Sequence, residues 1–122
     1  MSKRILVVED HEDNRQILRD LLSSAGYEMV EAHDGEAALP AAALHKPDLI
    51  LMDIQLPLLD GYEATRRIKA DPALKAIPVI VVTSYALSGD EAKARAAGCD
   101  AYVAKPYSPR QLLAKIREFL PA

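Results

Sequence analysis

The sequence has no tryptophan, one phenylalanine and one cysteine, Cys99. A single thiol cannot close an internal disulfide, so the chain is not a stapled extracellular scaffold, and a reducing cytoplasm is the natural setting. Cys99 itself is expected to be a small buried residue rather than a redox centre. Basic residues are not in excess: 15 Lys and Arg stand against 18 Asp and Glu, a net charge of −3, which leaves no electrostatic footprint for nucleic acid. No apolar stretch approaches the ~20 residues that span a bilayer, so membrane insertion is not expected. The start, Met1-Ser2-Lys3-Arg4, has no cleavage pattern of a signal peptide. Repeats, low-complexity tracts and linkers are also missing, so one domain over residues 1–122 is expected, long enough to bury a core. The three histidines, His11, His33 and His45, lack metal-ligand spacing and are expected at surface or helix-end positions.

What is present is a regular alternation of short apolar runs with helical patterns, the mark of βα units and a parallel sheet. The first helix is expected over about Asp13 to Ala25, with Ile17, Leu18, Leu21, Leu22 and Ala25 on one face and Gly26 as its stop. A more polar strand, Glu28 to His33, reads as an edge. Asp34 is a candidate N-cap for a helix from Gly35 to His45, although Pro40 inside it removes a backbone donor and predicts a kink or a late start. A further helix runs from Tyr62 to about Ala70, stopped by Asp71-Pro72. Ser88-Gly89-Asp90-Glu91 reads as a capping box opening a helix to Ala97, with Gly98 as stop. Ser108-Pro109-Arg110-Gln111 is a second capping box, ahead of a helix carrying Leu112, Leu113, Ile116, Phe119 and Leu120 on one face. Arg66, Arg67 and Lys69 are expected on a solvated helix face.

Four of the five strands end in polar residues. Ile5-Leu6-Val7-Val8 leads into Glu9-Asp10, Leu49-Ile50-Leu51-Met52 into Asp53, Val79-Ile80-Val81-Val82 into Thr83-Ser84, and Ala101-Tyr102-Val103-Ala104 into Lys105-Pro106. In open parallel α/β sheets, ligands sit at the C-terminal edge of the strands. Taken singly, each residue has an ordinary explanation: a cap, a loop solvator or a β-former. Taken together they form a chemical set. Glu9, Asp10 and Asp53 would repel one another unless a hard divalent cation such as Mg²⁺ joined them. Lys105 offers a positive point charge for Asp53 and for a phosphoryl oxygen. Thr83 offers a hydroxyl, and Asp53 is a candidate nucleophile able to carry an aspartyl-phosphate.

These runs, with Pro47-Asp48 before the third strand, Pro57 and Asp60-Gly61 after it, Pro78 before the fourth and Gly98-Cys99-Asp100 before the fifth, resemble the receiver domain of two-component response regulators along nearly the full length. The resemblance implies a flavodoxin-like, CheY-like α/β fold: a five-stranded parallel sheet of order 2-1-3-4-5 with five helices. It implies Asp53 as phospho-acceptor and Asp10 as direct ligand of Mg²⁺ (Mn²⁺ being the other candidate), with Glu9 acting through water. The backbone carbonyl of Gln55 would be a further metal contact. Thr83 and Tyr102 would form the switch, Lys105 would be the active lysine, and Lys105-Pro106 a cis peptide bond. Glu9 stands where many members have Asp, and Ser84 where many have Ala, adding a hydroxyl beside Gln55 and Tyr85 at the mouth of the site.

The resemblance implies that a histidine kinase or histidine phosphotransfer protein supplies the phosphoryl group. Output would be a protein contact on the face of Ser88–Ala97, Tyr102 and Ser108–Leu120. The chain would not be an enzyme beyond promoting its own phosphorylation and dephosphorylation. The start at Met1-Ser2-Lys3 and the stop just past the last helix, with Gly89-Asp90-Glu91 and Gly98-Cys99-Asp100-Ala101-Tyr102, most resemble single-domain regulators of the DivK type. A receiver cut from a larger hybrid kinase or regulator is the alternative. A small Mg²⁺-dependent phosphatase with an Asp nucleophile would need a second acid two residues later, where this chain has Gln55. A flavin-binding relative would need a phosphate-cradling Ser/Thr/Gly run that the first loop lacks. Tyr85, two residues after Thr83, is expected to shield an aspartyl-phosphate from in-line water. Tyr85→Ala should therefore speed loss of phosphate, followed by mass decay; an unchanged or slower loss would count against shielding.

Overall fold

A computed structural model of the chain describes residues 3–83, 90–105 and 107–120. The elements alternate: β1 (Arg4–Val8), α1 (Glu12–Ser24), β2 (Glu28–Ala32), α2 (Gly35–His45), β3 (Leu49–Asp53), α3 (Gly61–Ala70), β4 (Val79–Thr83), α4 (Asp90–Ala96), β5 (Ala101–Ala104) and α5 (Pro109–Phe119). The strands pair in parallel in the order β2-β1-β3-β4-β5.

The strand pleat divides the core in two. Ile5, Val7, Leu49, Leu51, Ile80 and Val82 face one side, against Leu18 and Leu22 of α1 and Leu112 and Ile116 of α5. Their neighbours Leu6, Val8, Ile50, Met52, Val79 and Val81 face the other, against Ala38 and Ala42 of α2, Ala64 and Ile68 of α3, and Ala94 of α4. With both faces covered, β3 and β4 are buried at every position, which is why they read as continuous apolar runs rather than alternating ones. Cys99 is buried, as expected.

Asp34 accepts from the Ala37 N–H at 2.7 Å as expected; Asp60, a loop residue on sequence grounds, also caps a helix, accepting from the Glu63 N–H at 2.9 Å. Ser108 and Gln111 form the expected reciprocal capping box. The other box, Ser88 to Glu91, falls largely outside the described residues.

Three expectations need correction. The helix containing Pro40 does not start late: α2 runs unbroken from Gly35 to His45. Pro40 is exposed in its second turn, and the bond it removes would have gone to the carbonyl of Glu36, an exposed first-turn residue that water can reach. Ile17 is not on the buried face of α1; it is 61% exposed. The buried stripe is Arg15, Leu18 and Leu22, a helical spacing that rotates Ile17 outward. Lys69 is not solvated with Arg66 and Arg67. Its ammonium donates to the carbonyls of Lys75 and Ile77 at 3.1 and 2.8 Å and to Asp100 Oδ2 at 2.8 Å. That carboxylate oxygen also accepts the Val79 N–H at 2.8 Å, so the lysine ties α3 to the start of β4 and the approach to β5.

One glycine governs how closely a helix meets the polar end of the sheet. Gly61, the first residue of α3, donates its N–H to the Ile54 carbonyl at 3.0 Å. A Cβ on Gly61 would fall 2.1 Å from the backbone oxygen of Asp53 and 2.8 Å from Ile54 Cα. Both obstacles are backbone, so they cannot rotate away. Gly61→Ala should cost about 1–3 kcal/mol of stability through forced displacement of the chain after β3, measured by urea unfolding; a change within about 0.5 kcal/mol would show that the contact is not rigid.

Candidate functional site

The parallel order brings the C-terminal ends of β1, β3, β4 and β5 to one edge. Asp53 closes β3, in register with Val82. Thr83 closes β4, fully buried, opposite Ala104. The N–H of Lys105 donates to the Thr83 carbonyl at 2.6 Å, extending the β4–β5 ladder by one residue. Glu9 extends the other side, its N–H donating to the Ala32 carbonyl at 3.1 Å. The ladders thus continue just far enough to fix the backbones of the polar residues that follow the strands.

Lys105 Nζ lies 3.5 Å from Glu9 Oε1 and 4.0 Å from Asp53 Oδ2. The lysine therefore bridges two carboxylates and sits nearer Glu9 than the Asp53 with which the sequence pairs it. Glu9 is 3% exposed. Its Oε2 accepts the backbone N–H of His11 at 3.1 Å, and Asn14 Nδ2 approaches Oε1 at 3.4 Å.

The two buried carboxyls respond oppositely. For Asp53, burial and then the neighbouring charge of Glu9 outweigh Lys105 and the Gln55 N–H, pushing its pKa up to about 6 from 3.8. Burial also opposes ionisation of Glu9, but the His11 N–H and the Lys105 charge overcome it and hold that carboxyl below its ordinary value. Asp53 is the strained member of the pair: it is buried, Lys105 is farther from it than from Glu9, and the Gln55 N–H, its backbone donor among the described residues, is 3.4 Å away.

Asp10 follows Glu9 at the head of α1. Its Oδ1 is shut off from solvent and has no hydrogen-bond partner among the described residues. A carboxylate oxygen without a hydrogen bond, next to the buried carboxyl of Glu9 that in turn neighbours Asp53, fits a divalent cation, since hard oxygen donors and net negative charge are what such an ion requires. Gln55, expected to offer its carbonyl, is exposed on the loop after β3. Tyr102, in register with Val81, is half-buried and packs on the core side shared by α2, α3 and α4. Ser84, Tyr85 and Pro106, expected at the mouth of the site and at the cis bond, lie outside the described residues.

Two residues enter the site that sequence reasoning missed. Arg15, 6% exposed, donates Nη1 to the Glu9 carbonyl at 2.9 Å. Its other nitrogens reach Glu12 Oε2 at 2.6 Å and Glu31 Oε1 at 3.1 Å. It holds the backbone of the acidic pair against α1 and β2. The only signal in the sequence was its place one helical step before Leu18 with an acid three residues earlier, and that is also the signature of a surface ion pair. His11, expected at the surface, is exposed, yet its Nδ1 lies 3.1 Å from Asp10 Oδ1 and 3.4 Å from Glu9 Oε2. Beside the carboxylates a cleft of about 340 Å³ opens between β1, β3 and α1, with Asn14, Ile17, Leu18, Lys105 and Tyr107 on its walls. Burial, and then the negative charges of Glu9 and Asp53, raise the pKa of Tyr107, so its phenol stays protonated.

A doubly wound sheet with acidic residues, a hydroxyl and a lysine at its carboxyl edge defines a phosphorylation-type receiver, and the chain belongs to the response regulator receiver domain family, whose model matches residues 5–117. Among its relatives is the polar-differentiation response regulator DivK of Brucella anthropi, 46% identical over 120 residues that cover 98% of each chain. DivK of Brucella ovis matches to the same extent. Among solved structures, the receiver domain of a sensor histidine kinase from Pseudomonas aeruginosa, which holds a magnesium ion in its active-site cleft, is 36% identical with a TM-score of 0.91 and full coverage of both chains. The chemotaxis protein CheY4 of Vibrio cholerae is 27% identical, also at 0.91, over 98% of this chain and 99% of that one. The fold and family expected from sequence are thereby established, and with them two-component signalling as the function of the class. No helix among the described residues is long and apolar enough to cross a membrane.

The raised pKa of Asp53 has a measurable consequence. A carboxyl whose folded pKa exceeds its unfolded value contributes stability that is fully present below about 3.8 and lost as pH rises through about 6. At pH 7.5 without divalent ions, Asp53→Asn should therefore be more stable than wild type by on the order of 2 kcal/mol. Urea unfolding in chelator checks this, and the difference should shrink toward pH 4. Equal stability at both pH values would mean that Asp53 is not electrostatically strained.

Proposed function

We propose that Asp53 accepts a phosphoryl group from a phospho-histidine of a kinase or phosphotransfer protein, and that the resulting aspartyl-phosphate changes which partner the receiver binds. The observation that carries this reading is the Asp53 carboxylate at the tip of a fully buried strand, 4.0 Å from Lys105 and destabilised by burial and then by Glu9. An Asp53 oxygen attacks phosphorus, the P–N bond breaks, and its electron pair remains on the donor imidazole, which takes a proton from solvent. Lys105 pairs with the phosphoryl oxygens as they arrive, and the Thr83 hydroxyl donates to one of them. Glu9, Asp10, Asp53 and the Gln55 carbonyl would hold Mg²⁺, or Mn²⁺ in its place. The ion, when bound, supplies charge neutralisation between the carboxylates and the incoming phosphate oxygens.

Phosphorylation adds about 1.5–2 negative charges at the end of β3. Thr83 closes β4 and Tyr102 stands on the adjacent β5 opposite Val81, so movement of the hydroxyl toward phosphate would leave room for the Tyr102 ring to turn inward. The surface of α4, β5 and α5 changes with it and serves as the face for a downstream protein. This supports a cytoplasmic signalling module that catalyses only its own phosphorylation and dephosphorylation and binds no nucleic acid.

Intact-mass and peptide mass spectrometry after treatment with acetyl phosphate and Mg²⁺ tests the reading. One phosphoryl group should appear, on Asp53, and be missing from Asp53→Asn and from protein kept in chelator. Full labelling of Asp53→Asn at the same peptide would refute the assignment.

A further inference from the structure

We propose that His11 supplies a nitrogen ligand to the acidic cation site, so that this receiver takes borderline divalent ions such as Co²⁺ through a mixed nitrogen–oxygen set rather than through oxygen alone. The inference rests on the reading of Glu9, Asp10 and Asp53 as a divalent-cation site and adds to it a ligand of different chemistry.

The donor atoms of Glu9, Asp10 and His11 all lie within 4.8 Å of one another. His11 Nδ1 is 3.1 Å from Asp10 Oδ1 and 3.4 Å from Glu9 Oε2. Donors that share one ion at about 2.0–2.2 Å stand about 2.9–3.5 Å apart. The shorter approach is not a hydrogen bond: Asp10 Oδ1 has no partner of suitable geometry although Nδ1 is beside it. A protonated imidazole would pair with that carboxylate, while a neutral one leaves two lone-pair donors at a spacing that one cation can share.

Local structure keeps the imidazole there. His11 is the N-cap of α1, with extended backbone (φ −94°, ψ 124°), and its side chain makes no cap hydrogen bond. A capping Asp, Asn or Ser in that position would turn its oxygen back to the helix N–H groups. The backbone N–H of His11 is instead held by Glu9 Oε2 at 3.1 Å, which fixes the residue against the carboxylate it would share the ion with. The ring is 70% exposed on its side chain, so an ion has an open approach from solvent.

The ligand type then sets the preference. Carboxylates and carbonyls suit Mg²⁺ and Mn²⁺, while imidazole favours the later divalent ions of the first transition row. Replacing one water or oxygen by imidazole should raise affinity for Co²⁺ far more than for Mg²⁺.

The test uses the full chain. Calorimetric titration with Co²⁺ and separately with Mg²⁺ compares wild type, His11→Ala, His11→Asn (which suits the N-cap) and His33→Ala as a control for adventitious imidazole binding. Wild type should bind Co²⁺ at least about tenfold more tightly than Mg²⁺, with the two ions competing. Both His11 variants should lose at least about tenfold in Co²⁺ affinity while Mg²⁺ affinity changes less than about twofold, and His33→Ala should match wild type. Mn²⁺-loaded wild type should show a directly bound ¹⁴N in pulsed electron paramagnetic resonance, missing from both His11 variants. Absence of that nitrogen signal in wild type, or an equal Co²⁺ loss in His33→Ala, would overturn the role of His11 while leaving the oxygen site intact. Failure of wild type to bind Mg²⁺ as well would overturn the cation site itself, and His11 with it.

Discussion

The rest of the structure is arranged around an electrostatic problem: two carboxyls, Glu9 and Asp53, buried at one sheet edge and sharing a single lysine. Neither burial nor mutual repulsion favours their ionised forms. The fold resolves the conflict unequally. Glu9 receives backbone and side-chain donors from the head of α1 and the nearer approach of Lys105. Among the described residues, Asp53 has a long contact to the Gln55 N–H and a more distant lysine. A carboxylate that its own protein does not fully stabilise is well suited to gain from an added cation and from conversion to a phosphate ester.

The scaffold keeps this arrangement from relaxing. β3 is enclosed on both faces by helices and on both edges by β1 and β4, so Asp53 has no backbone freedom with which to escape its neighbours. Gly61 lets α3 begin directly against the Asp53 carbonyl. Arg15 performs the matching task for the acidic pair, buried between α1 and β2 and bonded to the Glu9 carbonyl. Its charge is itself offset by Glu12 and Glu31, so a buried cation is held by two acids in order to hold a third in place. At the opposite edge of the sheet, Lys69 and Asp100 connect α3 to β4 and β5. The rigid part is thus anchored at both ends, and partner-dependent change is proposed for the face of α4, β5 and α5.

The cleft beside Asp53 and the exposure of Ile17 follow from one helical rotation. Because Arg15 takes a buried position on α1, the apolar stripe narrows to Leu18 and Leu22, and Ile17 moves to the lip of the cleft. The outward position of Ile17 sets part of the apolar surface of the first helix next to the acidic residues rather than in the core.

The sequence by itself determined the alternation of strands and helices, the cap residues Asp34 and Ser108, and the four polar strand ends, because these depend on local periodicity and on groups a few residues apart. Membership of the receiver family was legible for the same reason: its motifs are short and their order along the chain is specific. Tertiary structure alone decided which partner each charge takes. Lys105 shared between Glu9 and Asp53, Arg15 turned inward, Lys69 bound to Asp100 and His11 set against Asp10 all join residues whose separation is fixed by packing, or whose side-chain direction is fixed by a helix rotation that hydrophobic spacing describes only within a residue or so. Electrostatic energy varies steeply over the few ångströms that such packing decides, whereas the hydrophobic pattern that sets the fold tolerates them.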